Sequence, residues 1–527
     1  MYKYRYLLLF FCFLFVMLQW MYFPICFDNN DDQTMTAICS GMLSGMPSPH
    51  IILSNIVIGN FLACLFSKFP SVNWYTLYIE FILLVGFVIT VSIFVFNNKI
   101  PLFYAIATML LLFLGFFSWT IINPQFTTLA LFLTGASLLL FTASIKSLYK
   151  VLLIVVLMLL AILIRKDAFY IFLLFCIPIV FQHKKISFFL RDFSITLSVI
   201  SILFFITQWI NNTDTIYWQQ QTYKNVNALD IIAANPIKAD TQYLQKKHFS
   251  INDIALLQSW LVADSTHLSG NPIEQVAKNI KTSRNFKEVI IEIKKLIADE
   301  RYLLLMYVVS IISVFFASHK LRYITLLNAL LGTLFFLYLI VFMRLPHRVS
   351  FPILSYLIFY NIYIVLNFSK DNHRLKIVFS IFLLLGIYKF YCVLQMRTLH
   401  NTYQQYYTAC KNEINQHPTS LFIGAEAFPL ESMDAWQSPA NTYPAHNLIL
   451  AGWYPCSPDF KKIMQLQRLT NLTIDLKQKN VVYFVTQNSD LQKAYMALMQ
   501  ERYQLRCHFE MAQNFKYLKA KKLVFDN

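Results

Sequence analysis

Charge is scarce in this 527-residue chain. Asp, Glu, Lys and Arg together make up 13% of it, against roughly 25% in soluble domains. With 57% hydrophobic residues, that balance excludes an ordinary soluble globular protein. The nine cysteines form no CxxC and no Cys/His cluster, so the sequence encodes no zinc site. No GxGxxG or Walker sequence occurs, and nothing supports nucleotide binding. A small-residue cleavage site is missing after the first apolar run, Leu7 to Phe23, which follows Lys3 and Arg5. Phe23-Pro24-Ile25-Cys26-Phe27 is bulky, so the run reads as a retained helix rather than a signal peptide. The short alternating strands of an outer-membrane barrel are absent as well.

What the chain has instead is apolar runs near twenty residues, each able to cross a bilayer core of about 30 Å. The candidates are 5–24, 74–96, 101–121, 126–145, 149–164, 168–181, 188–210, 301–318, 321–342, 349–368 and 375–395. They predict an all-α polytopic membrane core of about eleven spans. A further run, 51–67, is apolar but carries Ser54, Asn55, Gly59 and Asn60. The formal net charge of +17 is read first as orientation, because cytoplasmic loops are enriched in Lys and Arg. If 51–67 lies in the interface and the N-terminus is inside, the inside loops hold Lys99; Lys146 and Lys150; Lys184, Lys185 and Arg191; Lys320 and Arg322; Lys370, Arg374 and Lys376. If 51–67 spans, all these basic loops land outside, which the positive-inside rule disfavours.

This topology divides the chain into a membrane core at 1–210, a helical loop at 211–300, a second membrane segment at 301–395 and a C-terminal domain at 396–527. The larger polar parts, 25–73, 211–300 and 396–527, share the outer face of a cell membrane. The inside loops are too short to build a nucleotide pocket. In the 211–300 loop, "SINDIALLQSWLVAD" reads as a helix with Ser250 as N-cap and Asp253 in its first turn, and nothing resembles a catalytic cluster. In 396–527, "SLFIGA", "NLILAG" and "VVYFVTQ" suit buried strands, with "DFKKIMQLQRL" and "SDLQKAYMALMQERY" helical and the last residues a hairpin. This is a small α/β domain, read as a packing or acceptor-recognition module. Cys456, Cys507 and Cys410 in it, and Cys26 and Cys39 near the first loop, lie where disulfides are permitted, without any pairing being fixed.

The chemistry-bearing residues fall on the predicted outer face. "FDNNDDQ" places Asp28, Asp31 and Asp32 directly after the first helix. Arg165 and Lys166 end one span, and Arg344, His347 and Arg348 lie in the turn before another. A solvated acidic loop, an Arg165–Asp167 pair and a snorkelling Arg344 are the structural alternatives. The functional reading is a phosphate site: the Arg fork matches phosphate oxygens, with Pro346 and Pro352 stiffening the turn. A carboxylate beside it is suited to take the proton of an attacking hydroxyl. His50, at the end of "PSPH", is either a phosphate binder or a helix cap, and Gln125 in "NPQF" is a site residue or a turn residue. Trp74 and Tyr75 read as interface anchors. Trp453 and Tyr454 read as core, with sugar stacking as the other use.

In its whole architecture the chain resembles the GT-C class of membrane glycosyltransferases. An acidic motif follows the first helix, a membrane-parallel run lies at 51–67, and a soluble domain follows the last span. "NDD…SG…G.PSPH", "NPQFT" and "RLPHRV" are similar to stretches of bacterial members of that kind. The resemblance implies transfer of a sugar from a polyprenyl-phosphate donor to a cell-surface glycan or lipid-linked acceptor, without nucleic acid. It implies Asp31 or Asp32 as the base, the choice open, with Asp28 supporting and a divalent cation, Mg or Mn, possible at the aspartates. The rivals are a polysaccharide polymerase or ligase of another membrane fold, and a non-catalytic assembly or transport protein. Against transport, the mid-span regions are almost purely apolar and no internal repeat is present. Single cysteines at 97–100 are expected to resist a membrane-impermeant thiol reagent in intact cells, while cysteines in 222–234 label; labelling of 97–100 from outside overturns the topology.

Overall fold

The computed structural model describes all residues except 1, 144–147, 183–185, 214–221, 235–240, 265–266, 268–271, 280–283, 316–318, 369–371, 427, 444–446, 513 and 527. Of the basic loop residues, Lys146, Lys184, Lys185 and Lys370 lie outside the described residues. The chain forms two compact units. The first comprises 1–28, 76–208 and 283–401, the second 29–75, 209–282 and 402–527. The second gathers most of the three segments that the charge argument groups together. The helix Phe286–Asp299, expected with the loop, belongs instead to the first unit. It is anchored there by Arg284, whose backbone N–H and Nη1 donate to the carbonyls of Val341 and Ile340 at 3.0 and 2.8 Å.

Among the described residues, seven helices are long and apolar enough to cross a membrane: Tyr4–Tyr22, Trp74–Val95, Leu102–Ile122, Phe193–Thr213, Leu321–Phe342, His347–Phe368 and Arg374–Asn415. This is a multi-pass membrane protein. The count corrects the expected eleven. The runs at 126–145, 149–164, 168–181 and 301–318 do form apolar helices, but as Phe126–Thr142, Leu148–Ile164, Ala168–Phe181 and Arg301–Val314. At 1.5 Å per residue, even a 17-residue helix reaches only about 26 Å, short of a 30 Å core. The runs at 149–164 and 168–181 are this short in the sequence itself, whereas those at 126–145 and 301–318 are ended early by caps at Ala143 and Phe315. The ambiguous run at 51–67 becomes the helix Ile56–Lys68, whose 13 residues reach about 20 Å.

The first unit is organised around two helices buried on all sides. His347–Phe368 buries every residue from Ser350 to Leu366, and Phe126–Thr142 buries nearly all of its own. A helix apolar around its whole circumference has no solvent face and must lie inside. A small residue permits the two to approach: a Cβ on Gly135 would lie 3.2 Å from Tyr356 Cβ. Asn361 Nδ2 donates to Ser310 Oγ at 2.9 Å, tying the central helix to Arg301–Val314. Side-chain amides and hydroxyls stitch apolar helices in this way. Glu80, fully buried in Trp74–Val95, accepts from Trp20 Nε1 at 2.8 Å.

The second unit carries a five-stranded sheet: β1 (Leu421–Gly424), β2 (Leu448–Leu450), β3 (Val482–Val485), β4 (Cys507–Met511) and β5 (Ala520–Phe525), in the order β2-β1-β3-β5-β4. β2, β1 and β3 run parallel, and β5 pairs antiparallel with β3 and β4. β1 to β3 are buried throughout, as parallel strands covered on both faces must be. All nine cysteines are free thiols. Burial pushes Cys456 up to about 12 and Cys507 up to about 11, so neither is a ready thiolate.

The helix Asn30–Ser40 also belongs to this unit. Asn29 caps it by accepting from Asp31 N, and Gly41 ends it at φ 73°, a left-handed conformation suited to glycine. The following loop presses against Ile56–Lys68. A Cβ on Gly59 would lie 1.9 Å from the Pro49 carbonyl oxygen. Gly59→Ala is therefore expected to lower the thermal midpoint of the purified protein, at a cost of about 1–3 kcal/mol or more. Gly115→Ala, where the new Cβ meets its nearest side chains at 3.6 Å, leaves it unchanged. Equal melting of both variants refutes the close-packing argument.

Candidate functional site

In the first unit four short segments converge, and the reason is local. Pro352 sits inside the helix His347–Phe368. Proline has no N–H, so the carbonyl four residues back, that of Arg348, loses its helical partner. Thr128 Oγ1 supplies the missing donor at 3.3 Å. Thr128 belongs to the first turn of Phe126–Thr142, where Gln125 is the N-cap and accepts from Thr128 N at 2.8 Å. Arg165 is held at the same place: Nη1 donates to Thr127 Oγ1 at 2.8 Å and Nε to Asp167 Oδ2 at 3.1 Å. On the other side of the turn, the N–H of Cys26 donates to the Ile122 carbonyl at 3.2 Å and that of Asp28 to the Pro124 carbonyl at 3.3 Å.

Asp28 thus arrives beside the charged start of the central helix. Its side chain is reached by solvent, but protein crowds around it. That burial pushes its carboxyl above the usual range; His347 and Arg348 pull it back down, and Glu300 adds to the rise. Because water reaches the carboxyl, screening limits the energy attached to this shift. His347 Nδ1 lies 2.7 Å from Glu300 Oε1, a carboxylate only 2% exposed. The same oxygen accepts from Ser350 Oγ. A carboxylate at one ring nitrogen orients the imidazole and leaves chemistry to the other. Trp119 meets the His347 ring edge-on, with centroids 6.1 Å apart, and Lys389 Nζ lies 3.8 Å above the Trp119 ring. The cluster combines an accessible carboxylate, an oriented histidine, Arg348 and the N-terminal end of a 22-residue helix, where backbone N–H groups favour anions.

Asp31 and Asp32 take a different position, in the second unit. Asp32 is fully buried, and its Oδ1 accepts from Tyr75 OH at 2.8 Å. Asp31 Oδ1 accepts from Trp453 Nε1 at 2.8 Å. Both occupy the first turn of Asn30–Ser40, where acids favour the helix dipole. Tyr75, expected as an interface anchor, is 1% exposed; Trp74 donates to the Phe69 carbonyl at 2.9 Å. Trp453 and Tyr454 are core residues. His50 does not cap Ile56–Lys68, whose N-cap is Asn55. Its Nδ1 meets Ser48 Oγ at 3.0 Å and Asp459 Oδ2 at 3.5 Å. Burial raises the Asp459 carboxyl, but hydrogen bonds from His50, Ser48 and Lys462 outweigh it and hold the group below its ordinary value.

The sequence reading missed Glu300, Ser350, Lys389 and Trp119. Glu300 ended a polar segment and Lys389 lay within an apolar run, an ionisable residue where few are tolerated; that was the available signal. Arg344 is exposed in the turn before the central helix, and Lys166 is half-buried beside Arg165. A cation at the aspartates finds no ligand set: among the described residues no group of three or more His, Cys, Asp or Glu is placed to hold a metal. No family model, no curated protein and no solved structure matches the chain.

The opposing fields at Asp28 give a signed test. Arg348→Gln removes a cation and raises the Asp28 pKa; in a His347→Gln background, where no imidazolium depends on it, Glu300→Gln removes an anion and lowers it. Infrared titration of 13C-aspartate-labelled protein, taken as a difference against Asp28→Asn, reads both shifts. Shifts of the same sign refute the arrangement.

Proposed function

We propose that this protein is an integral membrane glycosyltransferase, with its N-terminus cytoplasmic and its polar segments on the outer face. It transfers a sugar from a polyprenyl-phosphate donor to a glycan or lipid-linked acceptor of the cell envelope. The observation that carries this reading is Asp28, an accessible carboxylate facing His347 and Arg348 at the start of the buried helix. A lipid-linked sugar presents its phosphate at headgroup depth, and Arg348, His347 and the helix N-terminus offer that phosphate fixed positive charge. Arg344, Arg165 and Lys166 add to the local field.

In the reaction the acceptor hydroxyl attacks the anomeric carbon. Asp28 takes its proton, a new C–O bond forms, and the bond to the phosphate oxygen breaks. The electron pair leaves with the phosphate, whose growing charge Arg348 and His347 stabilise where it develops. Glu300 holds His347 in orientation and supports its charged form. Asp31 is restrained by Trp453, and Asp32, with no solvent access, serves to fix the segment that follows Asp28. The geometry therefore favours Asp28 as base over the adjacent pair.

The test is product formation from a polyprenyl-phosphate sugar in membranes, with protein abundance measured alongside. Asp28→Asn is expected to lower turnover about 10²- to 10⁴-fold at normal abundance, and Arg348→Gln to lower it with weaker donor binding. Asp31→Asn retains more activity than Asp28→Asn. Unchanged product in Asp28→Asn moves the base elsewhere. Unchanged product in the triple variant Asp28→Asn, Asp31→Asn, Asp32→Asn overturns the transferase reading.

A further inference from the structure

The second unit holds a cavity of about 660 Å³ that the transferase chemistry does not use. Its size lies within the ~300–1,000 Å³ of small-ligand sites, and its lining mixes polar and apolar surface in about equal parts. Phe249 and Pro272 are its apolar side chains; Gln245, Lys246, Lys247, His248, Gln275 and Glu501 supply polar groups.

A buried ionic network forms one wall. Arg502 Nη2 lies 2.5 Å from Asp253 Oδ2 and Nη1 lies 2.9 Å from Asp264 Oδ2. Nη2 also donates to the His248 carbonyl at 2.7 Å. His267 lies 3.8 Å from Asp253 and stacks on Phe249 with centroids 4.2 Å apart. Arg502 is thus held by two carboxylates, which leave this wall one negative charge in excess, and acts as framework. It fixes the backbone at His248, whose φ of 62° is left-handed because this residue ends the helix Thr241–Lys246, with the N–H of Phe249 donating to the Leu244 carbonyl and that of His248 to the Gln245 carbonyl, both at 3.0 Å. That backbone carries Lys246 and Lys247 to the rim, and neither lysine makes an ion pair among the described residues. Glu501, which accepts from Asn252 Nδ2 at 3.0 Å, leaves the rim with an excess of positive charge.

We propose that this cavity binds an acidic oligosaccharide. Planar amides and a carboxylate offer paired donors and acceptors to neighbouring hydroxyls, and the lysines meet the sugar's acidic group. The inference rests on the transferase reading only in making that saccharide the acceptor.

The test uses the full chain in nanodiscs, without donor. Calorimetry compares a galacturonate tetrasaccharide with maltotetraose, an uncharged chain of equal length. The acidic tetrasaccharide is expected to bind, with affinity falling as salt rises. Lys246→Gln/Lys247→Gln weakens it at least about fivefold, as loss of two exposed charge contacts should; Gln245→Ala weakens it less. Asp28→Asn binds like the unaltered protein, which separates this pocket from the catalytic assignment. Equal binding of maltotetraose, undiminished binding by the double lysine variant, or no binding of the acidic chain overturns the proposal.

Discussion

Pro352 has no N–H, and the Arg348 carbonyl must find its hydrogen bond outside its own helix. Thr128 provides it, and much of the charged end of the first unit follows from that bond. It brings the start of the buried helix against the first turn of Phe126–Thr142. That turn also anchors Arg165 through Thr127, and the residues just before it take the backbone of Cys26 and Asp28. A helix buried along its length has only its ends to offer water and ligand. Here the end is loaded with His347 and Arg348 and faced by a carboxylate.

Charge near a membrane is tolerated where it is compensated, and the cluster is compensated in layers. Glu300 is almost wholly buried and is matched by His347 and Ser350. Asp28 remains within reach of water while feeling His347 and Arg348. The buried carboxylate is committed to orientation; the accessible one keeps its proton chemistry. Asp31 and Asp32, next in the chain, are already engaged by Trp453 and Tyr75. Three aspartates within five positions therefore have three different environments, and proximity in sequence says little about equivalence in chemistry.

The second unit follows the same physical rule in a polar setting. Arg502 is held by Asp253 and Asp264, and Asp253 also closes the capping box with Ser250. One carboxylate thus starts a helix and balances a half-buried cation. The result is a rigid wall beside a polar cavity rather than another titrating site.

Several features were legible in the residues because they depend on local chemistry. The apolar runs announced a multi-pass membrane protein; Ser250 and Asp253 announced a helix start; three short apolar runs became the parallel strands β1 to β3. The outlying cations Arg165, His347 and Arg348 were conspicuous because charge is rare in this chain. Tertiary structure decided the rest. It ended the runs at 126–145 and 301–318 as helices of 17 and 14 residues, since caps, not hydropathy, set length. It buried Asp32 against Tyr75, forty-three positions away, and brought Glu300 to His347 across forty-seven. Sequence alone determined which residues avoid water and which begin helices, because those preferences belong to each side chain and its neighbours. Which carboxylate remains accessible beside a cation is decided by packing between distant segments, and only the folded chain contains that information.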